Sequence, residues 1–274
     1  MAKGRRRRLV WWVAGALAVV VVLAVGVPFV YIHFIEGAAP AKLTLPTARD
    51  TTSTSAAAQG ATTASVAGTW NVGPGSVAGY RVQEVLVGQN ATAVGRTSQI
   101  WGSLTIDGST VTRGMFTVNM ASVVSDQSQR NAKFDGPIMD VGRYPTATLT
   151  LSSPIALGQL PDDGVIAHYS ATGVLDLHGV TKTVSFPVSA ERLSNQIDVL
   201  ADINIPFADW DIANPSVGGF VTTANNGTLE VLLHLTQGSG NPASTSAGTG
   251  NSGGGGGPVT IPSTTVPPLT VPSG

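Results

Sequence analysis

Residues 170–191 read SATGVLDLHGVTKTVSFPVSAE, and their rhythm decides the fold. Together with the residues just before, Tyr169, Ala171, Gly173, Leu175 and Leu177 share one face. His168, Ser170, Thr172, Asp176 and His178 share the other, and Val174 is the exception. After HGVT, Val184, Phe186, Val188 and Ala190 alternate with Thr183, Ser185, Pro187, Ser189 and Glu191. A period of two is the mark of a half-buried strand. One apolar and one polar face is the habit of antiparallel sheets. The stretch therefore predicts two strands around a tight turn. It also gathers a His, an Asp, a Lys and several hydroxyls, so it poses a second question: chemistry, or the wall of a container.

The same rhythm continues downstream. Ile197, Val199, Ala201, Ile203 and Ile205 form one row, and Leu229, Val231, Leu233 and Leu235 form another. Asp107-Gly108, between GSLTI and STVTRGMFTVNM, is a strong hairpin signal. Asp163-Gly164 and Asn226-Gly227 read as further turns. One stretch, SDQSQRNAKFDGPIM, breaks the alternation and predicts a short helix ended by Gly136-Pro137. Many strands at short spacing make an all-β sandwich or closed barrel. Roughly eight strands suit an antiparallel barrel, which holds either packed side chains or one small ligand. Periodicity alone does not separate the filled barrel from the hollow one.

The two ends of the 274-residue chain differ from this middle. Residues 1–8, MAKGRRRR, carry five basic groups and read as a cytoplasmic segment. Residues 9–35 hold no Asp, Glu, Lys or Arg, and Trp11, Trp12 and Tyr31 lie toward the ends of the run. About 20 apolar residues span a bilayer core, and aromatic rings favour its interfaces. The run predicts one transmembrane helix that acts as a signal-anchor. A cleaved signal peptide is the rival reading, but its apolar region is usually only about 7–15 residues. Lys and Arg stay on the cytoplasmic side, so the remainder is expected outside the cell membrane. Residues 36–65 read as a flexible linker. Residues 238–274, rich in Gly, Pro, Ser and Thr, read as a disordered tail.

Residues 66–237 carry 8 Lys+Arg against 14 Asp+Glu, a net charge of −6. That sign argues against nucleic acid as a partner. The absence of cysteine removes disulfides, thiolate metal sites and thiol nucleophiles. No nucleophile elbow, phosphate loop, dinucleotide fingerprint or zinc-protease helix is present. His168 and His178 are ten residues apart on one strand, about 33 Å at full extension, too far to share a metal. His178 near Asp176, or the pair Asp209 and Asp211, could serve as acid and base. A hairpin turn and a solvated loop account for them more simply. The expectation from these residues is a domain with no catalytic residues, metal or cofactor. Arg130 and Lys133 lie on the short helix, where a cation could meet a ligand headgroup at a barrel mouth. The plainer alternative is a solvated helix face.

The stretch ASVVSDQSQRNAKFDGPIMDVGRYPTATLTLSSP (residues 121–154), followed by YSATGVLDLHGVTKTVSFPV (residues 169–188), resembles the YceI-like family of lipid-binding barrels. Arg130 ahead of the aromatic helix end, Tyr144-Pro145 with TATLTL, and above all GVLDLHGVTKTV carry the likeness. GTWNVGPGSVAGYRV fits the opening strands and DINIPFADWDIANP a later strand and loop. The resemblance covers about residues 66–235. It implies a lipocalin-like, eight-stranded antiparallel barrel, export from the cytoplasm, and an apolar tunnel for a polyisoprenoid or similar long-chain lipid. Two positions depart from the family pattern: Asn131 stands where an Asp often follows the helix Arg, and Pro206 precedes FADWD where an Arg is common.

Under that reading the opening stretch is wall and hairpin. Alternation and size nominate Phe116, Phe134, Leu175, Phe186, Val188, Ile203 and Trp210 for the lipid cavity, and Arg130 for the headgroup. The same side chains would also suit a solid core. A solid barrel would make the domain an envelope interaction module that binds no lipid. Nothing in the sequence sets the oligomeric state.

Overall fold

The computed structural model describes residues 11–22, 39–46, 65–86, 88–219 and 221–238. Residues 11–22 form a helix, α1. Among the described residues no helix is long and apolar enough to cross a membrane. Most of the rest of the expected span, residues 23–35, lies outside the described residues, as does the tail from residue 239.

The body of the chain is an eight-stranded antiparallel barrel in which several long strands are interrupted. The first is β1 (Gly68–Val72) continued by β2 (Val77–Leu86), and the second is β3 (Gln89–Thr97) continued by β4 (Ile100–Asp107). The third is β5 (Thr110–Asn119) with β6 (Val124–Ser125), and the fourth is β7 (Thr146–Leu151) with β8 (Ile155–Ala156). Then come β9 (Ala167–Leu177), β10 (Val180–Leu193), β11 (Gln196–Pro206) and β13 (Asn226–Gln237). A short β12 (Val221–Thr223) in the last loop pairs with β2. Each long strand pairs with the next, and β13 returns to both β1 and β2, which closes the barrel. Closure leaves no long edge for another chain to pair with.

The interruptions have local causes. Between β1 and β2 the chain reads Gly73-Pro74-Gly75, and Gly75 takes φ +88°. Proline has no N–H to give a ladder. The pairing with β13 accordingly slips, from Val72↔Leu235 to Val77↔Leu232. Gly73 keeps one bond through its N–H to the His234 carbonyl, at 2.7 Å. The opening stretch folds as read: β9 and β10 pair from Leu177↔Val180 to Ala167↔Ala190. Their turn needs a left-handed residue, and His178 (φ 53°) and Gly179 (φ 73°) supply it.

Two local readings change. Asn226-Gly227 is no turn; it opens β13 and pairs with Pro206 and Ile205. Glycine is needed because a Cβ there would press on Val82 and Phe207 at 3.0 and 3.3 Å. The short helix α2 (Ser128–Lys133) does not stop at Gly136-Pro137 either. It widens into a π turn, Phe134–Ile138, closed by the Met139 N–H on the Phe134 carbonyl at 3.0 Å. A proline ring clashes with the carbonyl four residues back in a regular helix, and the wider turn accommodates it.

Within the stretch read as a flexible linker, residues 39–46 lie against the outer wall. The carbonyls of Pro40 and Ala41 accept hydrogen bonds from Arg81 (2.7 Å) and Arg96, and Leu45 is buried.

Candidate functional site

Antiparallel alternation sends every second side chain of each strand inward. The inward set encloses a cavity of about 320 Å³. That lies at the lower end of the range for small-molecule sites, about 300–1,000 Å³. The wall reaches from Phe134, Ile212 and Thr223 at the α2 end to Val66, Leu157 and Leu160 at the other. Six of the seven residues nominated from the sequence line it: Phe116, Phe134, Leu175, Phe186, Val188 and Ile203. Arg130 lines it as well.

Trp210 does not. It is only 2% exposed, in a 3-10 turn, Phe207–Trp210, that begins after β11 has ended. Beyond a strand's end its inward alternation no longer applies, and Phe207 takes the wall position instead. Trp210 packs in the cluster at the α2 end, with Phe134, Met139 and Leu177. Sequence reasoning also missed Tyr80, Val82 and Glu84 of β2. Their row on β2, Ala78, Tyr80, Val82 and Glu84, ends in a glutamate at its fourth inward position, which breaks the apolar pattern.

The charged residues of the described wall are Glu84 and Arg130 near α2, and Glu191 and Arg192 near the opposite end. Arg130 is ion-paired with Asp126, and its guanidinium lies 3.9 Å from Glu84. Beside them Tyr80 stacks on Phe134, ring centroids 5.1 Å apart and planes 14° from parallel. Burial pushes the Tyr80 phenol up to about 12; Arg130 opposes this, Glu84 and Asp126 reinforce it, and the Ser125 hydroxyl opposes it. It stands as a neutral hydroxyl. Asn131 is turned away to hold the chain: its side-chain oxygen accepts from the Ser125 N–H (2.7 Å) and hydroxyl (2.8 Å).

At the other end Arg192 is paired with Asp163. Glu191 is buried, and its Oε2 has no hydrogen-bond partner. Burial raises its pKa first, and Asp198, its direct partner on β11, raises it further. Asp198 is fully buried, and its Oδ1 accepts from Gln196 Nε2 and His234 Nδ1, each at 2.6 Å.

Of the residues weighed for acid–base chemistry, His178 and Asp209 have structural partners. His178 donates from Nδ1 to the Trp210 carbonyl at 3.1 Å and packs edge-on against Tyr144 at 5.0 Å. Asp209 pairs with Lys182 at 3.5 Å on the surface. Neither His178 nor Asp209 lines the cavity. Among the described residues, no three His, Asp or Glu side chains group as metal ligands.

The barrel and its cavity can now be set beside known proteins. The YceI-like domain profile matches residues 56–235. This chain belongs to the YceI-like family. No curated protein sequence matches it. Among solved structures it is similar to a polyisoprenoid binding domain from Saccharophagus degradans implicated in plant cell wall breakdown. That match has 16% identity and a TM-score of 0.51, over 63% of this chain and 99% of that one. BcnA from Burkholderia cenocepacia matches at 19% identity and a TM-score of 0.44, over 57% and 95%. The Campylobacter jejuni YCEI protein matches at 15% and 0.39, over 51% and 83%. At such identities the likeness is one of fold. For this YceI-like chain, it is the wall itself that argues function: long, apolar, and charged only near its two ends.

Proposed function

We propose that this YceI-like chain binds a polyisoprenoid or similar long-chain lipid inside its barrel. The observation that carries the reading is the apolar cavity whose described wall reaches from one end of the barrel to the other. Each buried CH₂ contributes about 0.8 kcal/mol, so a long unbranched or isoprenoid chain gains affinity there with few polar contacts. A compact polar substrate gains nothing from such a wall. The Saccharophagus degradans domain of the same fold is a polyisoprenoid binder, which supports this ligand class. An interaction module that binds no lipid needs no internal cavity, so the cavity favours the container.

The protein is a carrier or store, not an enzyme, tethered to the cell membrane by residues 9–35 with its barrel outside. The five basic groups of residues 1–8 support that orientation. A tether raises the local concentration of the barrel at the bilayer that supplies its ligand. The test is native mass spectrometry with lipid extraction on the full-length chain, purified from a membrane-containing host. A bound species of isoprenoid mass is expected. An empty protein that also ignores added long-chain isoprenoids overturns the reading.

A further inference from the structure

Two apolar loops stand side by side at the α2 end of the barrel. One is the tip of the β2–β3 hairpin, and the other is the loop between β11 and β13 that carries β12. β12 ties them together: Val221 pairs with Leu86 and Thr222 with Val85. Val85 is 37% exposed and Val217 46%. Val217 and Val221 exchange backbone N–H to carbonyl bonds at 2.9 and 3.1 Å, which holds the second loop in shape. Pro215 and Thr223 of that loop line the cavity.

This tip is also free of charge. Residues 85–95 and 212–229 contain no Asp, Glu, Lys or Arg. At the opposite end Val165 and Ile166 are exposed as well, but they adjoin Asp162 and Asp163. Moving a carboxylate out of water is costly, whereas moving a valine out of water is favourable. Of the two ends, the paired loops are the one built to leave water.

Chain length points to what they enter. The apolar run ends at Ile35, and five residues later the Pro40 carbonyl accepts from Arg81 of β2 at 2.7 Å. Five residues span at most about 17 Å. Arg81 lies five residues from the tip at Leu86, but thirteen from Gly68 at the start of β1. With residues 9–35 in the bilayer, the tip is the nearer end of the barrel to its surface.

We propose that the tip formed by Val85, Leu86, Val217 and Val221 seats in the outer surface of the bilayer that holds residues 9–35, with the α2 end of the cavity toward the lipid. This rests on the tether reading above and adds the face that meets the membrane. Apolar faces of this kind sink about 5–10 Å into the headgroup boundary.

The chain has no cysteine, so a single label can be placed on it. Val217→Cys and, as a control, Val165→Cys are labelled with a nitrobenzoxadiazole dye in the full-length chain and reconstituted into phosphatidylcholine vesicles. Part of the lipid carries a nitroxide on its acyl chain. The nitroxide is expected to quench the dye at position 217 by half or more and to leave the dye at position 165 almost unchanged. Adding Val85→Asp, in a variant shown folded by circular dichroism, should at least halve the quenching at position 217. A dye at position 217 that stays unquenched in water, while the chain floats with the vesicles, overturns the docking and leaves the tether standing. A blue-shifted but unquenched dye assigns the tip to a second copy of the chain and overturns the bilayer as its partner. Equal quenching at both positions overturns the choice of end, and quenching that ignores Val85→Asp overturns the part given to Val85. A chain that does not float with vesicles sinks the tether reading and the docking with it. None of these outcomes depends on what fills the cavity.

Discussion

Arg96 and Glu230 stand on strands that do not touch, yet guanidinium and carboxylate meet at 3.3 Å. β2 runs between them, and the residue at the crossing is Gly79, which pairs with Glu230 on one side and Arg96 on the other. With no side chain there, Arg96 reaches over the strand. Arg81 closes on the same carboxylate at 2.6 Å, and Glu230 is only 1% exposed. A Cβ on Gly79 would lie 2.1 Å from the Gly95 carbonyl oxygen and 2.9 Å from Arg96 Cγ. Gly79→Ala is therefore expected to destabilise the barrel by about 3 kcal/mol, from overpacking and a disturbed ion pair. Urea unfolding measures it, and a loss under about 1 kcal/mol contradicts this account of the crossing.

The same carboxylate governs the segment before the barrel. Arg81 and Arg96 hold the carbonyls of Pro40 and Ala41 while Glu230 fixes their guanidiniums. Removing one partner of a buried pair costs about 3–5 kcal/mol. Glu230→Gln should loosen the segment and speed tryptic cleavage after Lys42 by tenfold or more, under conditions where the barrel stays folded. Equal cleavage rates in both proteins contradict this role.

Much of this architecture was legible, and each illegible part has its own cause. The rows Tyr169–Leu177, Ile197–Ile205 and Leu229–Leu235 alternate, with Val174 as an exception, because each strand has one apolar and one mostly polar face. The first half of the barrel is harder. On β3 the inward residues opposite β2 are small: Ala93 lines the cavity, and a Cβ on Gly95 would lie 2.3 Å from the Tyr80 ring. Small residues make room for an aromatic neighbour without showing a hydrophobic period. The docking of residues 39–46 has only Leu43 and Leu45 as a local signal, because its partners, Arg81, Arg96 and Glu230, lie far along the chain. Trp210 misled because size says buried but not where.

The stack of Phe134 on Tyr80 forms part of the cavity wall beside α2. Phe134→Ala deletes a buried ring, which typically costs about 3–5 kcal/mol. It also opens the wall at that end. Lipid should leave the variant at least tenfold faster than the wild type, measured by transfer to acceptor vesicles. A variant that loses stability but keeps the wild-type transfer rate would place the exit elsewhere.

Filling the cavity separates container from core. Ala201, on β11, lines the cavity with room beside it. Ala201→Trp should abolish lipid retention while changing stability by no more than about 2 kcal/mol, since the added ring enters space rather than packed atoms. A solidly packed barrel would instead lose several kcal/mol or fail to fold. Thermal melting beside lipid extraction distinguishes the two.

Glu191 gives the fold a pH dependence whose sign can be stated in advance. Its pKa is raised in the folded state, first by burial and then by Asp198 opposite, with His234 beyond Asp198 on β13. The native state therefore holds the Glu191 proton more tightly than the unfolded chain does. Where the unfolded state binds fewer protons, stability falls as pH rises. The carboxyl costs nothing below the ordinary glutamate range and becomes a buried charge above its raised pKa. Glu191→Gln removes that charge and keeps the shape. The variant should melt higher than the wild type at pH 7–8, and the gap should close on acidification to about pH 4. A gap that stays constant across that range, or one of opposite sign at pH 7, contradicts the assignment to Glu191.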